Sequence, residues 1–187
     1  MAKLEITPIS PVLGAEVRGV DLADGIDDAT FAVLHAAFLD HGVLLFKDQT
    51  SMVADVQVAF ARRLGPLHEH PAAPAEHDDP GVFLIRTHRD SPISNGNGWH
   101  SDVSCAEEPP SATMLQVHVL PEGGGGDTLF ADMEAAYASL EPDVRSRLCG
   151  LSARHGSEHV YRGRYADRGA VDDGVTYPTA VHPVVRT

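Results

Sequence analysis

Trp99-His100-Ser101-Asp102-Val103-Ser104 is the stretch on which the reading of this chain turns. It follows a short loop, Ser94-Asn95-Gly96-Asn97-Gly98, and runs into Glu107-Glu108-Pro109-Pro110. Side chains on an extended segment alternate with period two, so His100 and Asp102 are expected on one side. There an imidazole nitrogen and a carboxylate oxygen can grip one metal ion. Two His and one carboxylate on one face of an iron, with the other face open, form the facial triad of non-haem Fe(II) oxygenases. The motif offers two of those three donors.

The bare spacing occurs elsewhere, in His77-Asp78-Asp79 and His88-Arg89-Asp90. Setting separates the three. His77 lies in a Pro/Asp-rich loop, and His88 and Asp90 lead from a strand into another loop, where solvated polar residues are the plain reading. His100 and Asp102 stand beside Trp99, between a Gly/Asn turn and an apolar strand, as at the mouth of a barrel.

The 187 residues are enough for one domain with a core, and 43% hydrophobic and 22% charged residues are ordinary for a globular protein. The net charge of −13, from 27 acidic against 14 basic side chains, disfavours nucleic acid or an anionic membrane as partner. It leaves room for a local basic pocket. No apolar run reaches the roughly 18 residues of a membrane span, and the N-terminus lacks the apolar centre of a signal peptide. Cys105 and Cys149 make no disulfide framework, so a reducing cytoplasm is the expected compartment.

Residues 4 to 22 read as short strands and turns. Asp27-Asp28 opens a helix that runs to about Asp40 on Phe31, Leu34 and Phe38 and ends at His41-Gly42. Val43 to Phe46 is expected as a short buried strand, and Val53 to Leu64 as a second helix with Val58 and Ala61 inward. Residues 66 to 81 read as a loop, Val82 to Ile85 as a strand, Ser111 to Leu120 as another, and Pro121 to Gly126 as a turn before extended Asp127 to Phe130. Asp132 caps a helix to about Ser139, and Glu141-Pro142-Asp143 starts one that ends near Cys149. Leu151 to His155 and Val181 to Val185 are expected strands flanking an irregular stretch, 156 to 178. No repeat or domain boundary shows, so 1–187 reads as one domain. Many short strands with a few helices suggest a mainly β protein with helices, a sandwich or jelly roll.

Trp99-His100-Ser101-Asp102-Val103-Ser104, then Pro109-Pro110, then Gly125-Gly126-Asp127-Thr128-Leu129-Phe130 resembles the signature of the TauD/TfdA family, the Fe(II)- and 2-oxoglutarate-dependent dioxygenases akin to taurine dioxygenase. Further ordered matches are Ile6-Thr7-Pro8, Gly14-Ala15, Gly19-Val20-Asp21-Leu22, Phe46-Lys47-Asp48-Gln49, Phe60-Ala61-Arg62-Arg63-Leu64-Gly65 and His182-Pro183-Val184-Val185-Arg186-Thr187. The resemblance covers the whole chain. It implies a double-stranded β-helix (jelly-roll) core, with Fe(II) on His100 and Asp102 and 2-oxoglutarate and O2 as co-substrates. A small organic substrate (sulfonate-, sulfate ester- or carboxylate-like) would be hydroxylated with release of succinate and CO2. Thr128 matches the threonine that holds the co-substrate carboxylate. His70, in Leu67-His68-Glu69-His70-Pro71, matches a substrate-pocket histidine, and Asn95 and Asn97 are candidates to reach substrate.

The family's third ligand, a histidine, and a co-substrate arginine lie beyond the His-Pro-Val-Val-Arg-Thr segment, where this chain stops. The third His ligand is therefore absent from this chain, and His182 and Arg186 match other positions. His118, His155 and His159 have no assignment. The jelly roll is expected to be incomplete, because its C-terminal strands are missing, leaving unpaired apolar edges. Ala73 and Cys105 stand where taurine dioxygenase has aromatic residues, which weighs against taurine itself. Two rivals stand beside the oxygenase reading. One is a catalytically inactive fragment or non-catalytic metabolite- or partner-binding protein of the same fold. The other is a zinc site of His68, His70 and His100. By analogy with relatives, a homo-oligomer is expected.

Overall fold

The computed structural model describes residues 3–71, 77–88, 91 and 96–186. They form two compact units: Met1–Phe60 with Met114–Ser146, and Ala61–Thr113 with Arg147–Thr187.

In the first unit, β1 (Glu5–Pro8), β2 (Ala15–Arg18) and β3 (Leu44–Phe46) make a three-stranded sheet in that order. β1 pairs antiparallel with β2, Ile6 opposite Val17, and β2 pairs parallel with β3, Val17 opposite Phe46. The central strand turns Ala15 and Val17 inward, at 0% and 1% exposure. Each fully buried valine or leucine contributes about 1.5–3 kcal/mol. The helix α1 (Asp28–His41) adds Leu34 and Ala37 to this core. Its ends follow the sequence: Asp27 caps the Thr30 amide at 2.7 Å, and Gly42, left-handed at φ +68°, returns its N–H to Phe38 O.

The turn after β2 depends on glycine for a second reason. A Cβ on Gly19 would lie 2.1 Å from the Lys3 carbonyl oxygen, so only hydrogen fits. The Gln49 side chain then holds that turn. Its Nε2 donates to Val20 O and Lys47 O, and its Oε1 accepts from Leu22 N. The helix α2 (Ala54–Leu64) buries Val58, and its Phe60 ring meets Phe31 and Phe46 edge-on at about 6 Å.

Two expected strands do not form ladders. Val82–Ile85 and residues 111–120 run without a β partner among the described residues. Burial alternates with period two from Ser111 to Val117 and then stops, with 118–120 all exposed, and Leu115, Val117 and Val119 are 56%, 60% and 86% exposed. Side-chain amides tie this segment instead: Gln57 donates to Met114 O and Gln116 to Met52 O. Alternation specifies two faces; a neighbouring strand must supply the ladder. Two helices follow at the expected places, α3 (Met133–Ala138), capped by Asp132, and α4 (Pro142–Leu148).

The second unit holds the antiparallel hairpin of β4 (Ser152–Gly156) and β5 (Thr179–Pro183), with Ala153 opposite His182 and His155 opposite Ala180. β5 begins two residues earlier than the apolar pattern predicts. Its inward residues are Ala180 and His182, at 6% and 8% exposure, whereas Val181 faces out at 64%. Between the strands, the stretch expected to be irregular carries a short helix, α5 (Glu158–Tyr161), and a 3-10 turn at Ala166–Arg168. No helix among the described residues is long and apolar enough to cross a membrane.

Candidate metal-binding pair and its surroundings

His100 and Asp102 do share a side, but through a turn rather than a strand. Residues 102 to 105 turn, and Ala106 N closes onto Val103 O at 3.0 Å. His100 Nε2 and Asp102 Oδ1 stand 3.3 Å apart. The other imidazole nitrogen, Nδ1, lies 2.7 Å from the Gly98 carbonyl oxygen, which can only accept, so Nδ1 carries a proton. In the neutral ring Nε2 then presents a lone pair to a carboxylate oxygen. Two electron-rich atoms face each other stably only when a cation, proton or metal, lies between them. Thr113 Oγ1 donates to the second carboxylate oxygen, Oδ2, at 2.7 Å and fixes the carboxylate plane.

This donor set fits a divalent first-row ion. Two donors about 2.1 Å from one ion at right angles are about 3.0 Å apart, close to the observed spacing. A backbone carbonyl on the far nitrogen and a hydroxyl on the far oxygen are the outer partners such ligands use. Both side chains remain about half exposed, so an ion there is reachable. Among the described residues no three His, Cys, Asp or Glu side chains cluster to hold a metal. The zinc set His68, His70 and His100 is thus not brought together: His68 is exposed and His70 is enclosed by aromatic rings. His77 and Asp79 serve a local turn, with Asp79 N donating to His77 Nδ1 and Arg62 paired to Asp79 Oδ2. Asp90 and Ala73 lie outside the described residues.

The turn is strained and externally held. Val103 has φ +48°, a left-handed conformation costing a β-branched residue about 1–3 kcal/mol. His155 Nδ1 lies 3.0 Å from Ser104 Oγ, and His182 Nε2 donates to Ala106 O at 2.9 Å.

His70 sits beside this turn in an aromatic cage. Its ring stacks on Phe83 at 4.9 Å, meets Tyr161 at 4.9 Å and Tyr165 at 5.4 Å, with Tyr165 Oη 3.4 Å from its Nε2. Burial, followed by the charges of His68, Arg164 and Arg168, lowers its pKa to about 4, so the ring is neutral near pH 7. Arg168 lies over the Phe83 and Tyr165 rings, local positive charge in an acidic chain. Tyr161 joins cage and turn. Burial and its hydrogen bond with Cys105, in the field of Asp102, push its pKa up to about 12.

Asn97 is exposed between Gly96 and Gly98, and Asn95 lies outside the described residues. Thr128, in the first unit, is exposed on a segment without regular secondary structure and with no ladder partner among the described residues. Sequence reasoning missed Thr113, the cage residues Phe83, Tyr161 and Tyr165, and the supports His155 and His182. Thr113 carries no local signal. The four-residue spacings Tyr161/Tyr165 and Arg164/Arg168 could have flagged a common face within a stretch read as irregular.

The chain is similar to known proteins over nearly its whole length. Residues 5–187 match the model described as taurine catabolism dioxygenase TauD, TfdA family. An (S)-phenoxypropionate/alpha-ketoglutarate-dioxygenase of Sphingobium herbicidovorans is 37% identical over 91% of this chain and 59% of its own length. An alpha-ketoglutarate-dependent sulfate ester dioxygenase of Pseudomonas putida is 33% identical over 98% of this chain and 62% of its own. The crystal structure of a taurine dioxygenase from Burkholderia xenovorans superposes with a TM-score of 0.69 at 25% identity, covering 98% of this chain and 58% of that one. The chain thus spans about three fifths of these relatives.

Proposed function

Because the chain belongs to the TauD/TfdA family of taurine catabolism dioxygenases, we propose that it is the Fe(II)- and 2-oxoglutarate-binding portion of an oxygenase that hydroxylates a small organic molecule. The observation that carries this reading is the His100 Nε2–Asp102 Oδ1 pair, its imidazole tautomer fixed by Gly98. Bound there with 2-oxoglutarate, Fe(II) would supply the O2 activation that couples decarboxylation of the co-substrate to hydroxylation of a C–H bond. The protein's own residues hold and orient the reactants. His100 and Asp102 ligate, and Thr113 sets the carboxylate plane. Thr128 is assigned to the co-substrate carboxylate by its place in Gly125-Gly126-Asp127-Thr128. Neutral His70, in its aromatic cage, is assigned to the substrate pocket, while Arg164 and Arg168 favour an anionic group. Asn95 and Asn97 are assigned to the substrate side.

The relatives' names point to sulfate esters and aryloxy acids, and we extend that range of sulfonates, sulfate esters and carboxylates to this chain. The two units are taken as parts of one jelly-roll domain, since the family match runs through both. Two free thiols support our reading of a cytoplasmic setting, and a homo-oligomer is the expectation by analogy.

Fe(II) and 2-oxoglutarate added without oxygen should give a visible charge-transfer band, lost in Asp102→Ala. With oxygen, one of an alkyl sulfate, an organosulfonate or an aryloxyalkanoate should stimulate succinate release. A second reading, metabolite binding without catalysis, is favoured by the lack of a three-donor cluster among the described residues. Tight binding of 2-oxoglutarate with neither band nor succinate would establish it against the first.

A further inference from the structure

We propose that His155 and His182 are positioning residues that clamp the Val103 turn from the β4–β5 hairpin and so keep the Asp102 carboxylate facing His100. The inference rests on reading His100 and Asp102 as a metal-holding pair. Its physical basis is the strain. A left-handed β-branched residue persists only where its surroundings over-determine it, and Val103 is such a residue, immediately after Asp102. Among the described residues one backbone bond within the turn, Ala106 N to Val103 O, resists relaxation. The rest of the restraint comes from outside.

Pairing Ala153 with His182 and His155 with Ala180 puts all four residues on one face of the hairpin. On that face the two imidazoles are diagonal neighbours, ring centres 5.4 Å apart. Each reaches a different residue of the turn: His155 the Ser104 hydroxyl, His182 the Ala106 carbonyl. The acceptor at Ala106 obliges His182 to carry its proton on Nε2. An apolar residue at this 8%-exposed position would cover the face but leave that carbonyl without the bond. With Ser104 and Ala106 held, rotation about the Val103 N–Cα bond can only move what precedes it, and Asp102 moves first. Relaxation to negative φ would turn the carboxylate away from His100.

The test is Mn(II) affinity of the metal-free protein, read from the free-ion electron paramagnetic resonance signal, in His182→Leu, His182→Gln, Ser104→Ala and His182→Leu/Val103→Gly, with circular dichroism to check folding. Losing an outer partner weakens metal binding about 10- to 100-fold. His182 acts one step further out than such a partner, so His182→Leu should fall at the low end of that range, about tenfold, and Ser104→Ala less. His182→Gln, which keeps an N–H donor, should retain most affinity. Glycine at 103 bears no left-handed penalty, so the double variant should regain most of the loss, a rescue that a merely structural role would not allow. Unchanged affinity in His182→Leu, or a loss that Val103→Gly does not repair, overturns the proposal. If His182→Leu does not fold, Ser104→Ala and His182→Gln decide it by the same readout. Wild-type protein that binds no Mn(II) defeats the metal reading alone. Amide exchange at Ala106 then decides the clamp: faster exchange in His182→Leu upholds it, and unchanged exchange refutes it.

Discussion

The Thr113 hydroxyl donates to Asp102 Oδ2 at 2.7 Å and leaves Oδ1 turned toward His100 Nε2. One oxygen is thus occupied by the protein and the other is presented to an ion. Thr113→Val keeps the shape and removes the donor. Mn(II) affinity should drop about tenfold or more, while stability changes by no more than about 1 kcal/mol, since the bond is exposed. Equal affinity in the variant would show that the hydroxyl does not orient the ligand.

His100 and Asp102 are expected to act as a unit. His100→Ala and Asp102→Ala should each abolish ordered Mn(II) binding, and the double variant should be no worse than either single one. Additive, partial losses measured by titration would mean that each binds separately.

His70 makes stability depend on pH. Its folded pKa, about 4, lies below the ordinary 6.5, so between those values the unfolded chain binds more protons than the folded one. Stability therefore rises with pH across that window. It is fully present above about 6.5 and is lost as pH falls toward 4. Urea unfolding at a series of pH values should show that slope, and His70→Phe should flatten it. An imidazole of His70 that titrates near 6.5 by NMR would refute the cage as the cause.

Gly19→Ala should be among the most damaging single-methyl changes. The added carbon meets the Lys3 carbonyl oxygen at 2.1 Å, and φ is +78°, so both sterics and backbone oppose it. Asp27→Ala, which removes one helix cap, should cost about 1 kcal/mol. Thermal melts that rank the two in the opposite order would contradict this account of the first unit.

Helices were legible where the signal is local. Asp27 and Gly42 mark the ends of α1 and Asp132 the start of α3, signals that a chain reads within one turn, while α2 follows its apolar spacing and α4 opens at Pro142 as read. The ladder strands fall on or overlap stretches whose sequence reads as extended, whether the partner is near, as for β1 with β2, or far along the chain, as for β3, β4 and β5. At Val82–Ile85 and residues 111–120 the pattern was extended and apolar, but a ladder is a property of two segments. The His100–Asp102 pairing was legible as a spacing, though the backbone achieves it by a turn at Val103 that no β-branched preference would suggest. The cage around His70 joins residues 70, 83, 161 and 165, and such distances leave no periodic trace.

The ribbon from Met114 to Phe130 has an implication for handling the protein. Leu120, Leu129 and Phe130 are 75%, 71% and 57% exposed on backbone that no ladder protects among the described residues. Such chain fits a protease cleft without prior unfolding. Chymotrypsin should therefore nick here first, well before it cuts at Leu44–Phe46 in the laddered strand β3, and mass spectrometry of the earliest fragments would find its cuts clustered in this ribbon.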